Sequence, residues 1–192
     1  MRTTVAAMLL SLTVTAVAQA QTIAARAVQI HSATAPLPEE FRSNATVLGY
    51  EAGKAGLVLL HNGSGSFTCL ADDPSDERFH VACYHKSLEP FMARGRELRA
   101  QHVANVDSAR YAEIDAKTLA MPDHPAALYS LTGTAQNVSA EGNVTGARRL
   151  YVVYIPFATA ESTGLPTRPQ PDAPWIMFPG TAKAHIMFVP AM

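Results

Sequence analysis

Apolar and polar residues recur with more than one period along the chain, and each change of period marks an element. In residues 22–32, Ile23, Ala27 and Ile30 stand at helical spacing, which predicts a short helix or a mobile mature N-terminus. Pro36 and Pro38 end that pattern, because each lacks a backbone N–H and constrains the residue before it. Residues 38–42 predict one further turn.

From Ala45 the pattern becomes strand-like. Residues 46–50 predict a strand and 53–56 a turn. Residues 57–60 are apolar throughout and predict a strand buried on both faces. Asn62-Gly63-Ser64-Gly65 carries the strongest turn signal, since Asn and Gly tolerate positive φ, and residues 66–70 predict a third strand. Together these predict an antiparallel meander. Residues 72–76 are a polar loop, and 79–83 fit strand or helix.

Leu88, Phe91, Met92, Gly95 and Leu98 then follow helical spacing. They predict a main helix over 88–102, with Ser87 as N-cap and Pro90 in the first turn, where its missing donor costs little. A second helix is predicted over 107–119, N-capped by Asp107, although 113–119 fits an extended segment nearly as well. Residues 121–125 form a sharp loop, 127–131 a strand and 134–146 a surface loop. Residues 150–155 carry the clearest strand pattern, β-branched and aromatic. The Pro-rich stretch 163–174 predicts an ordered, irregular excursion or a lid. Short strands at 175–178 and 184–189 flank Pro179-Gly180. Strands and helices come in runs rather than in strict alternation. The predicted class is therefore α+β: a mainly antiparallel sheet (N-terminal meander plus C-terminal strands) with one or two helices packed on one face.

The ends change the picture. Arg2, an apolar run from Val5 to Val17 and then Ala18-Gln19-Ala20 follow the order of a secretory signal peptide. The run is shorter than the roughly 20 apolar residues that span a bilayer. The expected organisation is a signal peptide at 1–20 cleaved near Ala20, an N-terminal extension at 21–44 and one α+β domain at 45–192. The mature chain is expected to be secreted or periplasmic and not to span the membrane. A formal net charge of −1 and the lack of a Lys/Arg block argue against nucleic acid as a partner. Cys69 and Cys83 are the only cysteines, and in an oxidising compartment such a pair is expected to form a disulfide. The rival, a metal or redox pair, is disfavoured by a spacing much wider than that of zinc knuckles.

Several residues have chemical potential. His80, His85, His124 and His185 are candidate ligands for a transition metal such as zinc, copper or iron. No His-Glu-x-x-His motif supports them, and on a strand His80 and His85 fall on opposite faces. Ser64 lacks the Gly-x-Ser-x-Gly pattern and the strand–turn–helix context of a hydrolase nucleophile, so a turn is the better reading. Arg94, Arg96, Arg99, Arg148 and Arg149 could grip an anion but fit a solvated surface better. Four Asn-x-Ser/Thr triplets, at Asn44, Asn62, Asn137 and Asn143, match the glycosylation pattern and also suit turns. Trp175, Met177, His185 and Met187 supply adaptable apolar surface, as a ligand wall or as core. The leading expectation is an exported domain that binds a small molecule between sheet and helix near these four residues. A metal-assisted extracytoplasmic enzyme using the histidines, and a structural or interaction protein of the cell envelope, are the alternatives.

Overall fold

A computed structural model describes residues 22–190. The predicted signal peptide lies outside the described residues. Two helices open the chain, α1 (Arg26–Thr34) and α2 (Glu39–Arg42). Strands β1 (Thr46–Gly49), β2 (Val58–His61), β3 (Phe67–Leu70) and β4 (Arg78–His85) follow. A 3₁₀ turn (Lys86–Leu88) leads into α3 (Glu89–Ala100) and then α4 (Val106–Asp115). The chain closes with β5 (Ala126–Thr134), β6 (Arg148–Tyr154), the short α5 (Ala160–Thr163), β7 (Trp175–Met177) and β8 (His185–Phe188). All the strands join one sheet in the order β2-β1-β3-β4-β5-β6-β8-β7. The α+β class stands.

The N-terminal strands are not a meander. β1 lies between β2 and β3, pairing antiparallel with the first and parallel with the second. The Asn62–Gly65 link therefore does not close a hairpin; it carries the chain across the start of β1. There Gly65 N–H donates to the Asn44 carbonyl at 2.7 Å. A Cβ on Gly63 would stand 2.1 Å from that same oxygen. The glycine signal was real, but close backbone approach explains it at Gly63, where φ is not positive. β2 is an edge strand, and helix packing covers only one of its faces. Leu60 is buried while Leu59 is 51% exposed, which corrects the expectation of burial on both faces.

Alternation along the strands separates two cores. Val47, Cys69, Cys83 and Tyr129 lie in line across β1, β3, β4 and β5. They pack under α1, whose end contributes Ala33 and, just beyond it, Leu37. The segment ahead of β1 is thus part of the core. Cys69 and Cys83 sit opposite each other in register and form a disulfide, with neither residue reached by solvent. On the opposite face Tyr84, Leu128, Val152, Met187 and Trp175 lie in line. α3 and α4 pack on this face, bringing Leu88, Phe91 and Ile114 onto Tyr84, Ala126, Val152 and Tyr154. Each fully buried side chain of this size contributes roughly 1.5–3 kcal/mol. From the cluster under α1 a row of rings runs outward along the same face: Phe67–Tyr129, Tyr129–Tyr151 and Tyr151–Phe188 at centroid distances of 5.7, 5.6 and 6.3 Å.

Helix starts differ from prediction in their capping. The His85 ring accepts the Ser87 N–H, so the first turn is 3₁₀ and Ser87 is not the cap of α3. Asn105 caps α4 by accepting the Ser108 N–H at 3.0 Å. Asp107, two residues past the cap, is freed for ion pairs. Pro166 accepts the Ile176 N–H at 2.9 Å, so the Pro-rich excursion covers the outer edge of β7.

Candidate functional site

α4 ends in an abrupt reversal. Lys117 adopts φ 59, and the amides of Thr118 and Leu119 both return to the Glu113 carbonyl. Glycine usually occupies such a left-handed position; a lysine there is strained. The chain then runs through Met121-Pro122-Asp123-His124-Pro125 into β5. Facing this loop is the turn after β6. Ile155 N–H donates to Ala184 O and Phe157 N–H to Thr181 O, at 2.9 and 2.8 Å. These bonds hold Phe157 at φ 64 with the residue 61% exposed.

Between the two walls lies a cleft of about 900 Å³. Ile114, Leu119, Met121, Ile155 and Phe157 give it an apolar lining, and Asp115, Lys117, Asp123 and His124 supply its polar groups. Such a volume, with few polar groups on mostly apolar walls, suits a small organic ligand. Two of the five described non-glycine residues at positive φ, Lys117 and Phe157, line it; His102, Asp172 and Phe178 lie elsewhere. Strain of this kind persists where surrounding structure enforces it and gathers at binding sites.

The sequence missed this cleft, whose walls come from segments far apart in the chain. Neither wall shows a period. The available signal was a pair of Pro-containing stretches, 121–125 and 155–158, each carrying large apolar residues at a strand end.

Trp175, Met177, His185 and Met187 do share one face of the sheet, through the β7–β8 register. They lie deep on it: Trp175 and His185 are buried, while Met177 and Met187 are half-buried. His185 Nδ1 donates to the Lys183 carbonyl at 2.7 Å, and its ring lies 5.1 Å from Tyr154 and 5.7 Å from Phe178. Burial lowers its pKa below the ordinary imidazole value, and the Lys183 charge adds to this against the raising effect of the hydrogen bond. The Trp175 indole N–H is buried and finds no partner among the described residues. Trp175 also borders a smaller groove with Arg148, Gln170 and Asp172. None of the four residues lines the larger cleft.

The histidines disperse with one exception. His80 Nδ1 pairs with Thr132 Oγ1 toward the far end of β4. His85 and His80 fall on opposite strand faces. His85 and His124 instead meet edge-on, with centroids 6.1 Å apart. Among the described residues no group of three or more His, Cys, Asp or Glu converges as a metal cage.

Arg94 and Arg96 of α3 are engaged within the protein. Arg94 grips Glu113 with both Nε and Nη2 and reaches Glu97, while Arg96 bonds Glu89 and the Tyr84 hydroxyl. Arg148 and Arg149 are exposed on β6. Ser64 is exposed in the link over β1, and the nearby His61 directs Nδ1 at the Ala45 carbonyl rather than at a hydroxyl. Asn137 is a turn residue, accepting from the Thr134 N–H and donating to the Thr145 carbonyl.

No protein-family model matches the chain, and neither a curated protein nor a solved structure does.

Proposed function

We propose that this chain is an exported domain that binds a small, largely apolar molecule in the cleft between the α4–β5 loop and the turn after β6. The observation that carries the reading is the cleft itself: about 900 Å³, lined by aliphatic side chains and Phe157, with one lysine, one histidine and two aspartates. With the histidine neutral those side chains sum to one negative charge, so they favour a ligand of low net charge that is not anionic. The ligand is recognised by contact with Leu119, Met121 and Phe157 and oriented by Lys117 or His124. This moves the site away from the Trp175–Met187 region, whose depth suits core packing. Export is supported by the leader pattern of the first twenty residues and is compatible with the Cys69–Cys83 disulfide.

A polarity-sensitive naphthalene dye tests the cleft. It is expected to brighten with the wild-type protein and to be displaced by ligands that raise the melting temperature. Phe157→Ala removes an exposed ring without touching the core and is expected to weaken the dye several-fold. Leu119→Glu places a charge on the wall and is expected to abolish the signal. Dye binding unchanged in both folded variants refutes the site. Fractionation of producing cells, with N-terminal sequencing of the product, tests export: a cytosolic chain beginning at Met1 refutes it.

A further inference from the structure

We propose that His85 and His124 form a two-imidazole site for a divalent transition-metal ion at the edge of the cleft. The inference rests on the histidines alone and does not depend on the cleft taking an apolar ligand. β4 ends at His85, and the β4–β5 pairing returns the chain so that His124, just before β5, comes beside it. The rings stand edge-on, 6.1 Å between centroids and 88° between planes.

Each ring has a polar partner on Nδ1. The Asp123 carboxylate lies 2.9 Å from His124 Nδ1, and the Ser87 hydroxyl 2.8 Å from His85 Nδ1. A carboxylate accepts the Nδ1 proton, which fixes the His124 tautomer and leaves Nε2 with a bare lone pair. His85 Nδ1 also accepts the Ser87 N–H at 3.3 Å, so its proton rests on Nε2; binding a metal through Nε2 moves that proton to Nδ1, where the Ser87 hydroxyl accepts it and the amide contact is given up. An outer partner on one ring nitrogen and a free lone pair on the other is the usual state of a metal-binding histidine. The edge of Phe67 packs beside His85, 5.9 Å between centroids, and limits its motion.

Two imidazoles bound through Nε2 to one tetrahedral ion have centroids about 5 Å apart, given metal–nitrogen bonds of about 2.1 Å. Closing the remaining gap takes a movement of about 1 Å together with a ring rotation that turns both Nε2 atoms onto the ion. His124, with 53% of its side chain exposed, is free to make it. Imidazole nitrogen selects zinc, copper or nickel over magnesium or calcium. Two protein ligands leave the other coordination positions to water or to a heteroatom of a molecule in the cleft, which His124 lines.

Calorimetry of the tag-free, oxidised chain with zinc chloride, and electron paramagnetic resonance with copper sulfate, test the site. One ion per chain is expected, with the nitrogen splitting of imidazole ligands in the copper spectrum. His124→Ala and His85→Gln are each expected to weaken binding about tenfold or more. Asp123→Asn, which removes only the orienting carboxylate, is expected to weaken it about tenfold. His80→Ala, toward the other end of β4, is expected to change nothing. Melting in chelator shows which variants are folded, and His124→Ala, on an exposed loop, decides the matter if His85→Gln is not. No uptake by the wild type, uptake undiminished in His124→Ala, or equal loss in His80→Ala overturns the proposal.

Discussion

Around the β3–β4 pair, Cys69 and Cys83 are shut away from solvent, face each other in register and are covalently joined beneath α1. Around the cleft, Lys117 and Phe157 adopt left-handed conformations that suit neither residue, and Phe157 stands mostly exposed to water. The first region minimises exposed apolar surface and backbone strain. The second keeps both, and only the surrounding hydrogen bonds hold them. Stability is concentrated in one part of the sheet and a binding shape is maintained in another, so substitutions in the two should differ in size and even in sign.

The largest effect is expected in the braced region. Replacing both Cys69 and Cys83 by Ala opens a loop with a sequence separation of 14. The chain-entropy model values such a bridge at about 3 kcal/mol, a fall in melting temperature of about 6–12 °C for a domain of this size. Calorimetry of the oxidised wild type against the double variant measures it. A shift below about 2 °C would mean that packing under α1, not the bridge, braces this region.

A smaller effect is expected where α4 is tied to the β7–β8 turn. Asp107 accepts from Arg110 at 2.5 Å and from Lys183 at 2.6 Å. Arg110 is buried against the Phe91 ring, 3.9 Å from its centroid, and Gly95 makes room for it. Asp107→Asn leaves both cations facing a neutral amide. The carboxylate is half exposed, so water screens part of the loss, and about 1–2 kcal/mol is expected in urea unfolding. A variant as stable as the wild type would show that the clamp is ornamental and that the walls of the cleft hold themselves.

These tests also show what could be read from the sequence. The main helix was legible because Leu88, Phe91 and Leu98 repeat at its own period and all three are buried. The shared face of Trp175, Met177, His185 and Met187 follows from the two-residue period, but their depth does not, since depth depends on what packs above. Residues 57–60 misled because an apolar run looks the same in a central strand and at an edge. The glycine-rich link misled because close approach to Asn44 and a positive φ require the same residue. The Asp107 cap failed by the two residues that separate it from Asn105, and the true role of Asp107 needed Lys183 from a distant turn. The meeting of His85 with His124 was invisible until the β4–β5 register was known.

Protonation gives a graded comparison between the cores. His185 is held below the ordinary imidazole pKa, chiefly by burial, so it stays neutral in the fold when the unfolded chain takes up a proton near pH 6.5. Its contribution is therefore complete above about pH 6.5 and is lost as pH falls from there through the depressed folded value. Unfolding midpoints in urea are expected to drop between pH 7.5 and pH 5, and to drop less in His185→Gln. An equal drop would assign the pH dependence to other groups.

The smallest expected effect has the opposite sign. Lys117 sits at φ 59 just past the Ala116 cap of α4, where a side chain costs about 1–2 kcal/mol and glycine costs nothing sterically. Glycine also gives up more freedom on folding, so Lys117→Gly is expected to gain only about 0.5–1 kcal/mol. A rise of about 1–4 °C in melting temperature would mark the strain as real. The same substitution removes the only cation other than histidine that lines the cleft. If Lys117 is retained for the ligand, the stabilised variant should bind the displaceable dye and its competitors less well. A variant both more stable and equally competent would mean that the left-handed lysine is an accident of the helix end. A less stable one would mean that its side chain makes a contact worth more than the strain it bears.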